Sequence, residues 1–213
     1  NEDMEGNLDV MYLLKATDTK GNSFFGLNYA TGLPGCAASI NSHGLVQCIN
    51  SLNQEAKIGV PKFFLARAIL DAKTLAEAEN IVRNTPRASG FNHVLIQENT
   101  VINIEVAGSD IDVQKVEGQP YVHTNHYLSP KLKSMETFRT KSSDARYTTA
   151  IQLTHNGMDS TQMKHLLSDT SNSEYPIRRQ DETVGSLVFI PNQHLVQINY
   201  GPPNTDTFVD YSI

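Results

Sequence analysis

The polar and hydrophobic positions of roughly the first fifty residues alternate with a period of two. Such alternation is typical of strands that bury one face, and it covers residues 8–18, 23–28, 37–41 and 45–50. Short polar segments that contain glycine separate the first strand from the second and the third from the fourth, as in β-hairpins. This part of the chain is therefore predicted to form antiparallel sheet.

The pattern becomes helical at Pro61, a residue well suited to the start of a helix. A first helix is predicted over residues 62–72, because apolar residues recur there on one face. The residues of that face are Phe64, Leu65, Ala68 and Ile69. Thr74 followed by Glu77 is the signature of a capping box and predicts a second helix, which Pro86 would end.

Strand patterns return in the rest of the chain, around a second pair of helices. The predicted strands lie at residues 91–97, 101–107, near Val113, near Tyr121, and at residues 185–190, 194–199 and 208–211. The predicted helices cover about residues 143–154, capped by Ser142 or Ser143, and residues 160–167, capped by Ser160. Hairpins and paired helices, without alternating βαβ units, predict an α+β fold with two mostly antiparallel sheets between helix pairs.

The composition is that of a folded domain without a nucleic-acid or membrane partner. A length of 213 residues suggests one domain, residues 1–213, and 39% hydrophobic residues are enough for a core. With 17 basic and 23 acidic residues the net charge is −6, and no Lys/Arg cluster indicates nucleic-acid binding. The longest apolar runs fall far short of the roughly 18 residues that span a bilayer.

The sequence favours a cytoplasmic setting. No Asn stands in an Asn-x-Ser/Thr sequon, which disfavours a glycosylated secreted protein. Cys36 and Cys48 are too few for a disulfide framework, and no CxxC motif or Cys/His cluster suggests zinc. They are predicted to lie on the two strands of one hairpin, as small buried hydrophobes. A standing disulfide between them is disfavoured in this compartment.

Eight short segments, spread over nearly the whole chain, carry a resemblance to one protein family. They are Asn1-Glu2-Asp3, Ile40-Asn41-Ser42-His43-Gly44-Leu45, Gly59-Val60-Pro61, Pro86-Arg87-Ala88-Ser89, His123-Thr124-Asn125-His126, Arg146, Leu167-Ser168-Asp169 and Gly201-Pro202-Pro203. In this order they resemble the acyl-coenzyme A:6-aminopenicillanic acid acyltransferase family, which is related to the choloylglycine hydrolases and penicillin V acylases. All are N-terminal nucleophile (Ntn) hydrolases, and the resemblance implies their four-layer αββα sandwich.

The resemblance also implies hydrolysis of, or acyl transfer from, a non-peptide amide by a cysteine that becomes the first residue of its chain after self-cleavage. The thiolate attacks the acyl carbonyl, and the free α-amino group, with a pKa of about 7.7–8.0, serves as the base. This nucleophile is expected about one strand upstream of Asn1, where neither Cys36 nor Cys48 lies. The chain is therefore expected to lack the first strand of its sheet and to be inactive alone.

The resemblance implies roles for four residues of this chain. Asp3 matches an Asp that holds the amine of the nucleophile; the alternative is an ordinary exposed acid. Asn50 and Asn125 match side chains that stabilise an oxyanion; the alternatives are a strand end and a turn. Arg146 matches an Arg near the nucleophile, where its charge could lower the pKa of the thiol; the alternative is a helix-face arginine in a salt bridge.

For His126 and Arg87 the structural interpretation is favoured over a catalytic one. His126 is predicted to be a packed or solvent-facing histidine, and Arg87 a loop arginine that pairs with an acid. The walls of the substrate pocket are predicted at Leu33-Pro34-Gly35 and at residues 57–64, because these segments adjoin the matched ones.

The expected partners are a small-molecule acyl amide or acyl donor and the upstream N-terminal segment or chain, and a homo-oligomer is compatible with the sequence. No cofactor is predicted. A coenzyme A thioester as acyl donor rests on the resemblance alone, since no Gly-rich phosphate loop supports it. Two other functions stay open. One is a non-catalytic protein that binds a small acyl compound, and the other is a subunit of a larger assembly that docks through an open sheet edge.

Overall fold

Two antiparallel β-sheets form the centre of the computed structural model, which describes residues 1–4, 11–202 and 204–213. The described strands are β1 (Glu2–Asp3), β2 (Met11–Thr17), β3 (Ser23–Tyr29), β4 (Ser39–Asn41), β5 (Val46–Ser51), β6 (Phe91–Gln97), β7 (Thr100–Ala107), β8 (Asp110–Glu117), β9 (Thr183–Ile190), β10 (Leu195–Tyr200) and β11 (Val209–Ser212). The helices are α1 (Lys62–Ile69), α2 (Leu75–Asn84), α3 (Lys141–Leu153) and α4 (Ser160–Leu167). The predicted strand start at residues 8–10, and Pro203 of the Gly-Pro-Pro segment, lie outside the described residues.

The two sheets pack face to face. The larger sheet has the strand order β2-β3-β4-β5-β6-β7-β8 and the smaller one the order β1-β9-β10-β11. Their shared core consists of Phe25, Ile40, Val46, Val196 and Ile198. Helices α1 and α2 bury their apolar side chains on the other face of the larger sheet, and α4 packs against β9 of the smaller one. The predicted α+β sandwich of two mostly antiparallel sheets between helices is confirmed.

The strands depart from the sequence prediction in two places. β1 was not predicted, because two residues are too few to show a period, yet it pairs with β9. The strand predicted near Val113 is confirmed as β8, whereas the one predicted near Tyr121 is wrong. Pro120 has no N–H for a ladder, and the peptide N–H of Leu128 bonds to the carboxylate of Glu105 instead of to a neighbouring strand.

The first helix pair agrees with the prediction except at the end of α1. α1 starts directly after Pro61 and ends at Ile69, not at residue 72, because the next three N–H groups bond to carbonyls three residues back and tighten the turn. Its buried residues are Leu65, Ala66 and Ile69. Phe64 is 60% exposed, so its predicted place on the buried face is wrong. Thr74 caps α2 as predicted.

Both helices of the second pair have a different cap from the predicted one. α3 is capped by Thr140, whose hydroxyl accepts from the N–H of Ser143 at 3.0 Å, rather than by Ser142 or Ser143. α4 is capped by Asp159 rather than by Ser160. A capping oxygen must precede the first helical residue. The predicted serines therefore lie within the first turns of these helices.

Two of the segments that carry the family resemblance lie side by side. Val60 forms a parallel bridge with Arg87, and a Cβ atom on Gly59 would come within 2.5 Å of the Arg87 carbonyl carbon, so only glycine fits there. The Arg87 guanidinium donates to the carbonyl oxygens of Val82, Thr85, Gly108 and Ser109. Arg87 is thus structural as predicted, but the prediction that it pairs with an acid is wrong.

The cysteines occupy different kinds of element. Cys48 lies on β5, whereas Cys36 lies in the loop before β4, so its predicted place on a strand is wrong. Both are free thiols. Burial raises the pKa of Cys36, and it raises that of Cys48 to about 12. Neither thiol is therefore suited to ionise near neutrality.

Candidate active site

Asp3 forms a half-buried ion pair at the edge of the smaller sheet. Its Oδ2 lies 2.7 Å from Nη2 of Arg179, and its Oδ1 accepts from the hydroxyl of Thr183 at 2.8 Å. Burial alone would raise the pKa of Asp3, but the charge of Arg179, the ammonium of Asn1 and the hydrogen bonds from Arg179 and Thr183 together outweigh it and lower that pKa. Asp3 is therefore an ionised, oriented carboxylate rather than an ordinary exposed acid.

Three parts of the chain hold Asn125. Its peptide N–H donates to Oγ of Ser143 on α3 at 2.8 Å, and its Nδ2 donates to the carbonyl of Ser51 at the end of β5 at 3.2 Å. Its Oδ1 accepts from Nη2 of Arg146 at 2.9 Å. These bonds fix both the position of the loop and the orientation of the side-chain amide.

Asn50 lies near the end of β5, the strand whose last residue contacts this amide. It is the residue before Ser51 and stands opposite Asn92 of β6, whose Nδ2 donates to Asn50 Oδ1 at 3.2 Å. Asn125 donates to Ser51, so Asn50 and Asn125 flank the same strand end. The two residues for which the resemblance implies an oxyanion role thus lie at the same end of β5.

Arg146 contacts Asn125 and feels the charges of the Asp3–Arg179 pair. In the described part of the chain no carboxylate lies within 4.0 Å of its guanidinium, which contacts Asn125 and, through Nε, the hydroxyl of Ser142 at 3.2 Å. Burial and the nearby charge of Arg179 lower the pKa of Arg146, while Asp3 opposes them. The alternative of a helix-face arginine in a salt bridge is therefore not what the structure shows.

The loop that carries Asn125 is anchored to a buried carboxylate, Glu105 of β7. Oε1 of Glu105 accepts from the N–H of Leu128 and bonds to Nε2 of His123, both at 2.7 Å, and Oε2 accepts from the N–H of Ser129 at 2.8 Å. The side chains of Glu105 and His123 are both 1% exposed. One acid therefore binds both ends of the segment that contains Asn125.

His126 holds the same loop against α3. Its Nδ1 lies 2.8 Å from Oγ of Ser143 and 3.2 Å from Oγ1 of Thr124, and its ring packs edge-on against Tyr147. Burial, aided by the charge of Arg139, lowers the pKa of His126 to about 4. Ser143 is fully buried, so this serine and histidine cannot reach a substrate. The contacts agree with the structural interpretation of His126.

Two groups of this region were not predicted. Arg179, the partner of Asp3, has no sequence signal that relates it to residue 3. Glu2 lies within the matched Asn1-Glu2-Asp3 segment but was not assigned a role; it accepts from the Tyr29 hydroxyl at 2.9 Å and from the Ala38 N–H at 3.0 Å. Burial raises the pKa of Glu2. Only the distant partners of these side chains reveal their importance.

No described residues form a group of three or more His, Cys, Asp or Glu side chains placed to bind a metal ion. None of the helices in the described ranges has the length and hydrophobicity needed to cross a membrane.

Asp3→Asn in the full-length protein is expected to lower the free energy of unfolding by about 1.5–3 kcal/mol at pH 6, the range for hydrogen bonds to charged groups. The folded-state pKa of Asp3 is lowered, so this contribution is complete above the unfolded pKa of about 3.9 and is lost as the pH falls through the folded value. Urea unfolding of wild type and variant at pH 6 and pH 3 measures the change.

The matched control is Asp71→Asn, which removes an exposed carboxylate paired with Arg67. It is expected to change the free energy of unfolding by less than about 1 kcal/mol. An Asp3→Asn effect of equal size at both pH values would contradict the assignment of Asp3 as an ionised, paired carboxylate.

The sequence of the chain matches a known protein family. A family model described as acyl-coenzyme A:6-aminopenicillanic acid acyl-transferase matches residues 1–204. The chain belongs to this family. The family resemblance of the short segments is thereby confirmed.

Individual relatives agree with this family membership. The beta-alanyl-dopamine/carcinine hydrolase of Drosophila melanogaster is 25% identical over 187 residues, which cover 80% of this chain and 48% of that protein. The chain thus spans about half the length of this curated relative.

Solved structures show the same fold. A conjugated bile acid hydrolase variant from Clostridium perfringens superposes with a TM-score of 0.63 at 11% identity, over 100% of this chain and 87% of that one. Penicillin V acylase from Agrobacterium tumefaciens gives a TM-score of 0.52 at 9% identity, over 95% of this chain and 78% of that one. At these identities the similarity shows the αββα fold of the acyltransferase family and its relatives.

Proposed function

We propose that the full-length protein hydrolyses, or transfers an acyl group from, a non-peptide amide, with an N-terminal cysteine on a segment preceding Asn1 as nucleophile. The observation that carries the proposal is the hydrogen bond from Arg146 to Asn125, with the Asp3–Arg179 pair near enough to affect the pKa of Arg146. Family membership supports the reaction class, as does the name of the Drosophila relative.

In the proposed reaction, the cysteine thiol transfers its proton to the α-amino group of the same residue, and the thiolate attacks the acyl carbonyl. The C–N bond of the tetrahedral intermediate breaks, and the leaving amine takes that proton. Water then releases the acid from the thioester in a hydrolase, whereas a second amine receives the acyl group in a transferase. Asp3 would hold the α-amino group, and Arg179 keeps its carboxylate ionised and oriented.

The developing oxyanion would be stabilised by the side-chain amides of Asn125 and Asn50. Asn125 Oδ1 accepts from Arg146 and Asn50 Oδ1 from Asn92, so the Nδ2 groups would be the donors of both amides. One hydrogen of Asn125 Nδ2 is bound to the Ser51 carbonyl, so its second hydrogen would serve the oxyanion. The hydrogen bond from Arg146 to Asn125 Oδ1 also gives Arg146 a role as a positioning residue, because this bond sets the orientation of the Asn125 amide.

Labelling tests the proposed nucleophile. The full-length protein is treated with a cysteine-reactive acyl-amide probe, and the labelled residue is mapped by mass spectrometry. We expect the label on an N-terminal cysteine upstream of Asn1, and no label or turnover with residues 1–213 alone. A label on Cys36 or Cys48 would contradict the proposal. Tight probe binding without any label would favour the non-catalytic binding protein, and a stable partner without a reactive thiol would favour the subunit of an assembly.

A further inference from the structure

The proposed role of Asp3 depends on the position of β1, the strand that carries it. β1 consists of the two residues Glu2–Asp3, and its ladder with β9 is irregular between them. One further backbone hydrogen bond follows, from the N–H of Met4 to the carbonyl of Glu182 at 2.8 Å. Strands in folded domains are usually longer than this. The position of β1 therefore depends on the side chains that bind it to other elements.

Glu2 binds β1 to the larger sheet. Its Oε2 accepts from the hydroxyl of Tyr29, the last residue of β3, at 2.9 Å. Its Oε1 accepts from the N–H of Ala38, directly before β4, at 3.0 Å. The Tyr29 hydroxyl also lies 3.5 Å from the carbonyl oxygen of Asp3. Two donors from different parts of the chain thus converge on one carboxylate of β1.

The residue opposite Glu2 allows this contact between the sheets. Glu2 pairs with Gly185 of β9, so both residues face the same side of the smaller sheet. A Cβ atom on Gly185 would come within 2.7 Å of Cδ2 of Leu27 on β3, so this side is the one that faces the larger sheet. Glycine at this position lets the two sheets approach closely, and the Glu2 carboxylate can reach its donors.

A carboxylate is an unfavourable group for this environment. Tyr29, its hydroxyl donor, belongs to an apolar cluster with Met11, Leu27 and Val184. No ammonium or guanidinium group of the described residues lies within 4.0 Å of the Glu2 carboxylate, and burial raises the pKa of Glu2 despite its hydrogen bonds. Burying a charge without an ion-pair partner destabilises a fold. An apolar side chain would avoid this cost but could not bind both donors.

We propose that Glu2 is a positioning residue of the active site, which fixes β1 against the larger sheet and thereby sets where Asp3 holds the amine of the nucleophile. The assignment rests on the proposed function, because it takes Asp3 to bind that amine. Asp3 in turn binds Arg179 and Thr183, so the two residues of β1 are held by separate sets of partners. Breaking a bond to Glu2 should slow the reaction more than it weakens substrate binding.

The test uses Glu2→Gln, which keeps the size of the side chain but loses one acceptor oxygen, and Tyr29→Phe, which removes one donor. The full-length variants are treated with the cysteine-reactive acyl-amide probe over a range of concentrations. We expect the labelling rate at saturating probe to fall about 10- to 100-fold, as for a slightly misplaced group. The half-saturating concentration should change only a few-fold. The double variant should lose less than the product of the single effects, because both changes break one contact.

Hydrogen exchange tests the position of β1 without any reaction. The amide of Met4 closes the β1–β9 ladder through its bond to Glu182. In both full-length variants we expect this amide to exchange about 10-fold faster than in wild type, because local opening then breaks one hydrogen bond fewer. Thermal unfolding shows that each variant is folded, and Tyr29→Phe keeps the test valid if Glu2→Gln does not fold.

Asp210→Asn is the matched control, because Asp210 accepts from Nε2 of Gln197 at 2.9 Å on β11, at the opposite edge of the smaller sheet. It should leave labelling and Met4 exchange unchanged. Wild-type labelling rates in Glu2→Gln and Tyr29→Phe, or wild-type exchange at Met4, would overturn the proposal. The proposed function fails in a different way: wild type itself would then carry no label on an upstream cysteine, while the Glu2-dependent exchange of Met4 remained.

Discussion

Replacing Asn125 with alanine in the full-length protein is expected to lower kcat by about 100- to 1000-fold, the cost of removing one oxyanion donor. KM should change only a few-fold, because the amide stabilises charge that develops in the transition state rather than in the bound substrate. The structure makes the donor well oriented, since Ser51, Ser143 and Arg146 fix the loop and the side chain. Steady-state kinetics with the amide substrate found by labelling measures both constants.

Asn84→Ala serves as the control, because among the described residues the side chain of this exposed asparagine of α2 bonds to Asn80 of its own helix. It should leave kcat unchanged. Thermal unfolding of both variants separates a loss of catalysis from a loss of folding. If Asn125→Ala raised KM tenfold and left kcat intact, Asn125 would be a substrate-binding residue and not an oxyanion donor.

The layers of the fold could be predicted from the sequence because each depends on a local pattern. Period-two alternation located most of the strands, and the change of period at Pro61 located the first helix. Errors occur where local rules give two equivalent answers, as with the cap of α4, where Asp159 and Ser160 are both good capping residues. Errors also occur where a segment with a strand-like pattern has no neighbouring strand to pair with, as near Tyr121.

The candidate site could be predicted only through short matched segments. A carboxylate at position 3 and an amide at position 125 have no local property that marks them as functional. Their partners were not predictable at all, since the Asp3–Arg179 pair joins opposite ends of the chain and exists only once β1 has paired with β9. Arg146 shows the same limit: its position matched the family, but its contact with Asn125 required the structure.

Glu105 is the clearest example of a residue whose importance depends on tertiary structure. In the sequence it is one polar position within the predicted strand 101–107. In the structure it is buried and accepts from two backbone N–H groups in a segment without regular secondary structure. That segment includes Asn125, so the accuracy of the candidate oxyanion site depends on a carboxylate on a different element.

Glu105→Ala in the full-length protein is expected to lower the free energy of unfolding by about 3–5 kcal/mol, the usual cost of removing one partner of a buried charged network. The change leaves the N–H groups of Leu128 and Ser129 and Nε2 of His123 without their acceptor. At about 2–4 °C per kcal/mol for a domain of this size, Tm should fall by roughly 6–20 °C. Urea and thermal unfolding measure the change.

Glu117→Ala is the matched control, since it removes a glutamate from the next strand whose ion pair with Lys115 is 61% exposed on both sides. Its effect should stay within about 1 kcal/mol. Glu105→Gln retains the size of the side chain and one acceptor oxygen, so it should be less destabilising than Glu105→Ala. If Glu105→Ala cost no more than Glu117→Ala, the other contacts of the segment around Asn125 would be enough to hold it, and the anchoring role of Glu105 would be refuted.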